Sequence, residues 1–156
     1  MNNQPDWATP FMLTWCQYLL DSYAFWVKKE LITRSGTSFE QAECLFNSPF
    51  VVASHGMQED PVLNYGNRVA LDLWEMDWEQ FTQTPSRLTA EPVNREARAR
   101  MLSQAKKQGY ISDYSGIRIS NTGKRFWVEQ AIIWTIQNPD GGVLGQGATF
   151  STWRFI

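Results

Sequence analysis

Residues 121–136 read NTGKRFWVEQAIIWTI. Asn121-Thr122-Gly123 is a turn signal, and the β-branched and aromatic run that starts at Arg125 has the composition of a strand. With strict alternation, Phe126, Val128, Ile132, Trp134 and Ile136 share one face, yet Trp127, Ala131 and Ile133 make the other face apolar too. A strand apolar on both sides is covered on both sides. Similar runs flank it, over residues 110–120 and 143–155, the second reached through Asn138-Pro139-Asp140-Gly141-Gly142. Short turn-rich loops between such runs demand antiparallel hairpins.

Upstream, FVVASH (residues 50–55) and residues 62–65 read as two further strands. Helices are expected between and before these strands. Residues 10–32 form the first, with Pro10 at its start and Gly36 beyond its end. Phe11, Trp15, Tyr18, Tyr23, Phe25 and Trp26 make it aromatic around most of its circumference, so it needs more than one partner surface. Thr37 or Ser38 caps a short helix through about Phe46, with Gln41 placed to answer Ser38 in a capping box. Residues 67–76 and 78–81 are helical, and Asn94 caps residues 95–108, which Gly109 ends. Two strands, a run of helices and a three-stranded meander make an α+β fold, a mainly antiparallel five-stranded sheet of order 2-1-5-4-3. Helices cover one face, and the N-terminal helix or a second subunit covers the other. Residues 1–36 are read as an N-terminal helical extension and 37–156 as the domain.

Composition narrows the function classes. Of 156 residues, 43% are hydrophobic and 19% charged, and 8 Trp are present, which argues for a packed domain rather than disorder. A net charge of −2 speaks against a general polyanion-binding surface. Cys16 and Cys44 make no disulfide framework or paired metal motif, so no metal site is expected. His55, the single histidine, would have to carry any Ser-His-Asp machinery alone. The first ten residues offer no basic segment ahead of an apolar run, and residues 11–27 are too short and polar to span a bilayer. A cytoplasmic protein is expected, with no membrane partner.

The segment DPVLNYGNRVALDLWEMDWEQF (residues 60–81) resembles the second strand and following helix of PAS domains, with Asn67 just after the strand. Residues 121–134 resemble the hairpin into the fourth PAS strand, and PDGGVLGQGATF (residues 139–150) the turn into the fifth. More closely, residues 50–76, 116–134 and the terminal ATFSTWRFI are similar to the MEKHLA domain family, a PAS-like group, in its stand-alone bacterial and cyanobacterial form. The resemblance runs from about Trp15 to the end, although the hexapeptide that names the family is absent. It implies a non-enzymatic sensory or protein-interaction module with a cavity between sheet and helices. It does not carry over the DNA-binding role of plant members with a homeodomain and zipper.

Several candidates follow from that resemblance. Pro85-Ser86-Arg87 matches the stretch where light-sensing PAS domains carry a reactive cysteine on the flavin. Ser86 in place of the thiol excludes adduct chemistry. Arg87 and Gln146 match flavin-contacting positions, but Val128 and Arg118 fall where ring-binding asparagines would lie. Haem would need an axial ligand from His55, Met57 or Met101. No cofactor is expected on these grounds. The cavity is expected near Tyr65, Asn67, Trp74, Arg87, Met101, Trp127 or Trp134, and Gln146. Strand register decides which tryptophan faces inward, and the bulky side chains can instead fill the space. Trp15, Tyr18 and Trp26 are anchor types for a homodimer or a partner protein, or they cover the chain's own sheet. Arg95, Arg98, Arg100, Lys106 and Lys107 crowd one helix, but with an acidic chain no nucleic-acid partner is expected. The competing readings are an acid–base enzyme using His55 and Asp60, and an accessory subunit of a larger assembly.

Overall fold

The computed structural model describes residues 4–156, so the first three residues of the N-terminal extension lie outside the described residues. α1 (Pro10–Val27) starts on Pro10 and is capped by Thr9, whose hydroxyl accepts from the Met12 amide. It ends five residues before the expected Ile32, because Lys28 turns the chain in the left-handed region at φ 66°. α2 (Ser38–Phe46) carries a capping box of Thr37 with Glu40 rather than Ser38 with Gln41. β1 (Val51–His55) and β2 (Leu63–Gly66) pair antiparallel. α3 (Arg68–Trp74) and α4 (Trp78–Phe81) are capped by Asn67 and Asp77. α5 (Pro92–Gln108) begins on a proline in its first turn, upstream of the expected Asn94 cap. β3 (Tyr110–Ile119), β4 (Arg125–Gln137), β5 (Val143–Phe150) and β6 (Thr152–Phe155) complete the chain.

The strand order is β2-β1-β5-β4-β3, as expected, with every pairing antiparallel. The expected last strand is broken at Ser151. Its end, β6, pairs with the first half of β4, from Phe126↔Phe155 to Glu129↔Thr152, and gives the sheet a sixth strand.

Apolar layers lie on both sides of the sheet. On the outer side, α1 and α2 meet Val52, Tyr65, Trp134 and Ile136. On the inner side, α3, α4 and α5 cover Val51, Ala53, Phe126, Val128, Ala131, Ile133 and Phe150. This division corrects the strict alternation read along β4. Phe126 and Val128 face inward with Ala131 and Ile133, whereas Ile132, Trp134 and Ile136 face outward. The cause is a pair of bulges in facing strands. Asp113 on β3 and Gln130 on β4 both sit in the left-handed region, at φ 60° and 55°. Ile111 pairs with Ile133, Tyr114 with Ala131, and Gly116 with Val128, so each strand contributes one extra residue and the original register returns. Each extra residue switches which side chains face inward.

α1 is stapled to the outer face by hydrogen bonds of two indoles and a serine. Trp15 Nε1 donates to Ser54 Oγ at 3.0 Å, Trp26 Nε1 donates to the Thr135 carbonyl at 3.0 Å, and Ser22 Oγ accepts from the Gln137 amide at 2.9 Å. Tyr23 meets Trp134 edge-on at 5.1 Å. Two glycines make room for this layer. A Cβ at Gly147 would stand 2.6 Å from the Trp134 ring, and one at Gly109 (φ 89°) would stand 2.3 Å from Trp26.

Candidate functional site

Between the inner face of the sheet and α3–α5 lies a partly enclosed cavity of about 80 Å³. It exists because the sheet presents small side chains where the helices stand off. Ala53 on β1 pairs with Ala148 on β5, which pairs with Ile133 on β4, and Ala131 lies two residues along β4 from Ile133, opposite Tyr114 on β3. A row of methyl groups cannot fill the gap between two layers that larger side chains hold apart. Val128 and Phe150 complete the floor, and Trp74, Phe81, Met101 and Leu102 form the roof.

Polar groups enter this apolar space from four elements, β1, β5, α5 and β3. His55 and Gln146, paired across β1 and β5, stand at one end. Gln146 Nε2 donates to the Leu102 carbonyl at 3.0 Å and so ties β5 to α5. The His55 Nδ1 lies 3.0 Å from the Gly56 carbonyl and therefore carries the proton, which leaves Nε2 as a buried acceptor with no hydrogen-bond partner among the described residues. Burial lowers the His55 pKa and the charge of Arg98 adds to this, while the Gly56 carbonyl and the Gln146 amide pull the other way. Arg98 reaches down from α5, donates to Ser86 Oγ and lines the cavity. Burial, then the charge of Arg118, pushes its pKa down to about 10. Arg118 on β3 lies over the Tyr114 ring, 5.5 Å from its centroid, and donates to the Ile117 carbonyl at 2.8 Å. The bulge at Asp113 is what turns Tyr114 and Arg118 to the inner face, opposite the side that Tyr110 takes.

Of the eight residues expected near a cavity, Trp74, Met101 and Gln146 line it. The other five lie elsewhere. Tyr65 is on the outer face, edge-on to Trp78 at 5.6 Å. Asn67 is fully buried as a structural hub. Its Oδ1 accepts from the Val52 and Ala70 amides, and its Nδ2 donates to the Phe50 carbonyl at 2.8 Å. Arg87 points to solvent and pairs with Asp60 at 3.2 Å. Trp127 pairs in the ladder with Ile117 and Arg154, and Trp134 lies under α1, because the Gln130 bulge sends both away from the cavity. Among the anchor candidates, Trp15 is buried against its own sheet, and Tyr18 and Trp26 are half-buried in the same layer. His55, Ser86, Arg98, Tyr114 and Arg118 are the cavity residues that periodicity did not single out as such.

Other chemistry is not assembled. Asp60 belongs to Arg87, and His55 turns to the Gly56 carbonyl, so the two do not form an acid–base pair. Cys16 is buried, which raises its thiol pKa to about 12 and leaves it protonated. Met57 is exposed, away from the cavity that Met101 lines. Among the described residues there is no cluster of metal-ligating side chains, and no helix is long and apolar enough to cross a membrane.

Known proteins place this arrangement. The chain is 25% identical over 149 residues to the homeobox-leucine zipper protein HOX10 of Oryza sativa subsp. indica, covering 94% of this chain and 18% of the rice protein. It is 22% identical over 144 residues to HOX9 of the same subspecies, covering 92% and 17%. The chain thus spans less than a fifth of the length of these curated relatives. Among solved structures, a PAS domain of a Colwellia psychrerythraea protein superposes with a TM-score of 0.62 at 16% identity, over 75% of this chain and 94% of that one. An RNA-binding light-oxygen-voltage receptor gives 0.61 at 16% identity, over 78% of this chain and 36% of the receptor. A light-oxygen-voltage domain studied with a flavin analogue gives 0.59 at 12%, over 75% and 84%. At these identities the likeness establishes a PAS fold and leaves the ligand open. The sequence model of the MEKHLA domain matches residues 13–155, and the chain belongs to the MEKHLA domain family.

Proposed function

We propose that this protein is a non-enzymatic sensory module that admits a small molecule between the sheet and α3–α5 and reports occupancy through association with another protein chain. The observation that carries this reading is the cavity itself, apolar on floor and roof, with His55, Arg98, Arg118 and Gln146 converging on it. That composition is the usual one for a ligand site. Residues 37–156 are read as the sensing domain and residues 1–36 as an extension whose helix α1 covers the outer face of the sheet.

Transmission has a physical route in the strands. β1 and β4 carry both cavity residues and the staples of α1: Ala53 and His55 flank Ser54, whose hydroxyl Trp15 holds, and Ile133 is two residues from Thr135, whose carbonyl Trp26 holds. A ligand that favours one arrangement of these strands shifts the population of α1 positions only by its difference in affinity for the two. Phe11 and Phe25, at 67% and 52% exposure, are the apolar side chains that α1 still offers to a second protein, whether another copy or a different one.

The test is a thermal-shift screen of a small-molecule library against the wild type and an Ala131→Leu variant that fills the cavity, with native mass spectrometry on the hits. Hits that stabilise the wild type, leave the variant unmoved and appear as bound mass support the reading. Identical responses of the two proteins, with only the bare chain in the mass spectrum, refute it.

A further inference from the structure

The chain is net acidic, yet the cavity holds two arginines and no carboxylate. Elsewhere the pairing is regular: Arg34, Arg87, Arg100, Arg125 and Arg154 each lie within 4.0 Å of an Asp or Glu oxygen. Arg68 and Arg95 do without one, but neither lines the cavity. Arg98 and Arg118 are half-buried, and their only partners among the described residues are neutral: Ser86 Oγ for one, and the Ile117 carbonyl and Tyr114 hydroxyl for the other. Two permanent charges brought towards each other, away from water and without a counter-charge, are costly. Arg98 shows that cost: burial first and then the charge of Arg118 disfavour its protonated form. A guanidinium pair presents a set of planar N–H donors that a carboxylate can accept.

We propose that the cavity takes a small monocarboxylate with an apolar body, the carboxylate lying between Arg98 and Arg118 and the body against Trp74, Val128 and Ala131. This rests on the reading of the cavity as a ligand pocket. The size follows from the volume. At roughly 10–15 Å³ for each water-sized group, about 80 Å³ admits roughly five to eight of them, enough for the hydrocarbon tail of hexanoate or the ring of benzoate with its carboxylate at the half-buried arginines, and too little for a long-chain lipid or a nucleotide.

The experiment is isothermal titration of the full chain with hexanoate and benzoate, and with benzyl alcohol and benzylamine as neutral and cationic counterparts. Each probe is run on the wild type, on Arg118→Gln and on Ala131→Leu. Arg118 is the variant of choice because its contacts are to its own strand, so its loss spares the tie between Arg98 and Ser86. The expected result is carboxylate binding that exceeds that of either counterpart, falls at least about ten-fold in Arg118→Gln and is lost in Ala131→Leu. If benzyl alcohol binds as tightly as benzoate and Arg118→Gln changes nothing, the charge inference falls while the pocket reading stands. If carboxylate binding survives in Ala131→Leu, the anion sits outside the cavity and the inference is overturned. If neither carboxylate binds the wild type, the inference is likewise overturned, and the library screen then judges the pocket separately.

Discussion

Replacing Gln130 tests the feature on which the site depends. Its backbone is left-handed at φ 55°, its side chain is exposed, and that side chain makes no hydrogen bond among the described residues. Substitution there therefore changes backbone energetics with little loss of packing. An L-residue in this region carries a penalty of about 1–2 kcal/mol, which glycine escapes at an entropic cost of about 0.5–1 kcal/mol. Gln130→Gly should thus gain about 0.5–1 kcal/mol, a rise in Tm of roughly 1–4 °C for a domain of this size. Gln130→Val should lose about 1–2 kcal/mol, because a β-branched residue is strongly disfavoured at positive φ. Urea titration and thermal melts followed by circular dichroism measure both, with an unchanged m-value showing that the same surface unfolds. A valine variant as stable as the wild type would refute the reasoning. Gln130 would then lie in ordinary extended backbone, β4 would alternate without a bulge, and Val128 and Trp134 would return to one face.

Two further outcomes follow from the geometry. His55 has a folded-state pKa below its usual 6.5, so the unfolded chain takes up its proton first. Its contribution to stability is complete above about pH 6.5 and is lost as pH falls through that value towards the folded pKa. Arg98, Gln146 and the Gly56 carbonyl are the groups that act on the ring. In urea melts at about pH 7.5 and about pH 5.5 the wild type should lose more stability than His55→Gln, and equal losses would show that the ring is neither buried nor held neutral. Trp15→Phe removes the donor to Ser54 Oγ and part of a buried ring. It should cost about 2 kcal/mol without changing the mass read by light scattering. A change in mass at unaltered stability would make Trp15 an anchor between chains instead.

The fold was legible because its signals are local and agree with one another. Turn chemistry around Asn121-Thr122-Gly123 and Asn138-Pro139-Asp140-Gly141-Gly142 separated the last strands, and a strand apolar on both sides announced two covering layers. The helix ends were less legible where an unusual backbone decides them. Lys28 ends α1 with a left-handed cap that no glycine advertises, and Pro92 starts α5 earlier than the good cap at Asn94 suggested.

The site was less legible for a different reason. Alternation assigns faces only while the ladder is regular, and here Asp113 and Gln130 break it once on each of two facing strands. Aspartate is a common left-handed residue and glutamine is not, so half of the device has a weak sequence signature and half has none. Because the two bulges cancel, the hairpin keeps a consistent register at both ends and betrays nothing in the length of its strands. Between them the side chains are reassigned. Trp134 leaves the interior for the α1 layer, and Ala131, Ile133, Tyr114 and Arg118 take the inner face instead. Ile132 and Trp134 are thereby exchanged for the smaller Ala131 and Ile133 on the inner face of the sheet, which is why a space remains there at all. The matching bulge at Asp113 brings the Arg118 guanidinium to the wall of that space, opposite Arg98 of α5, so the paired bulges leave the space open and supply one of its two charges.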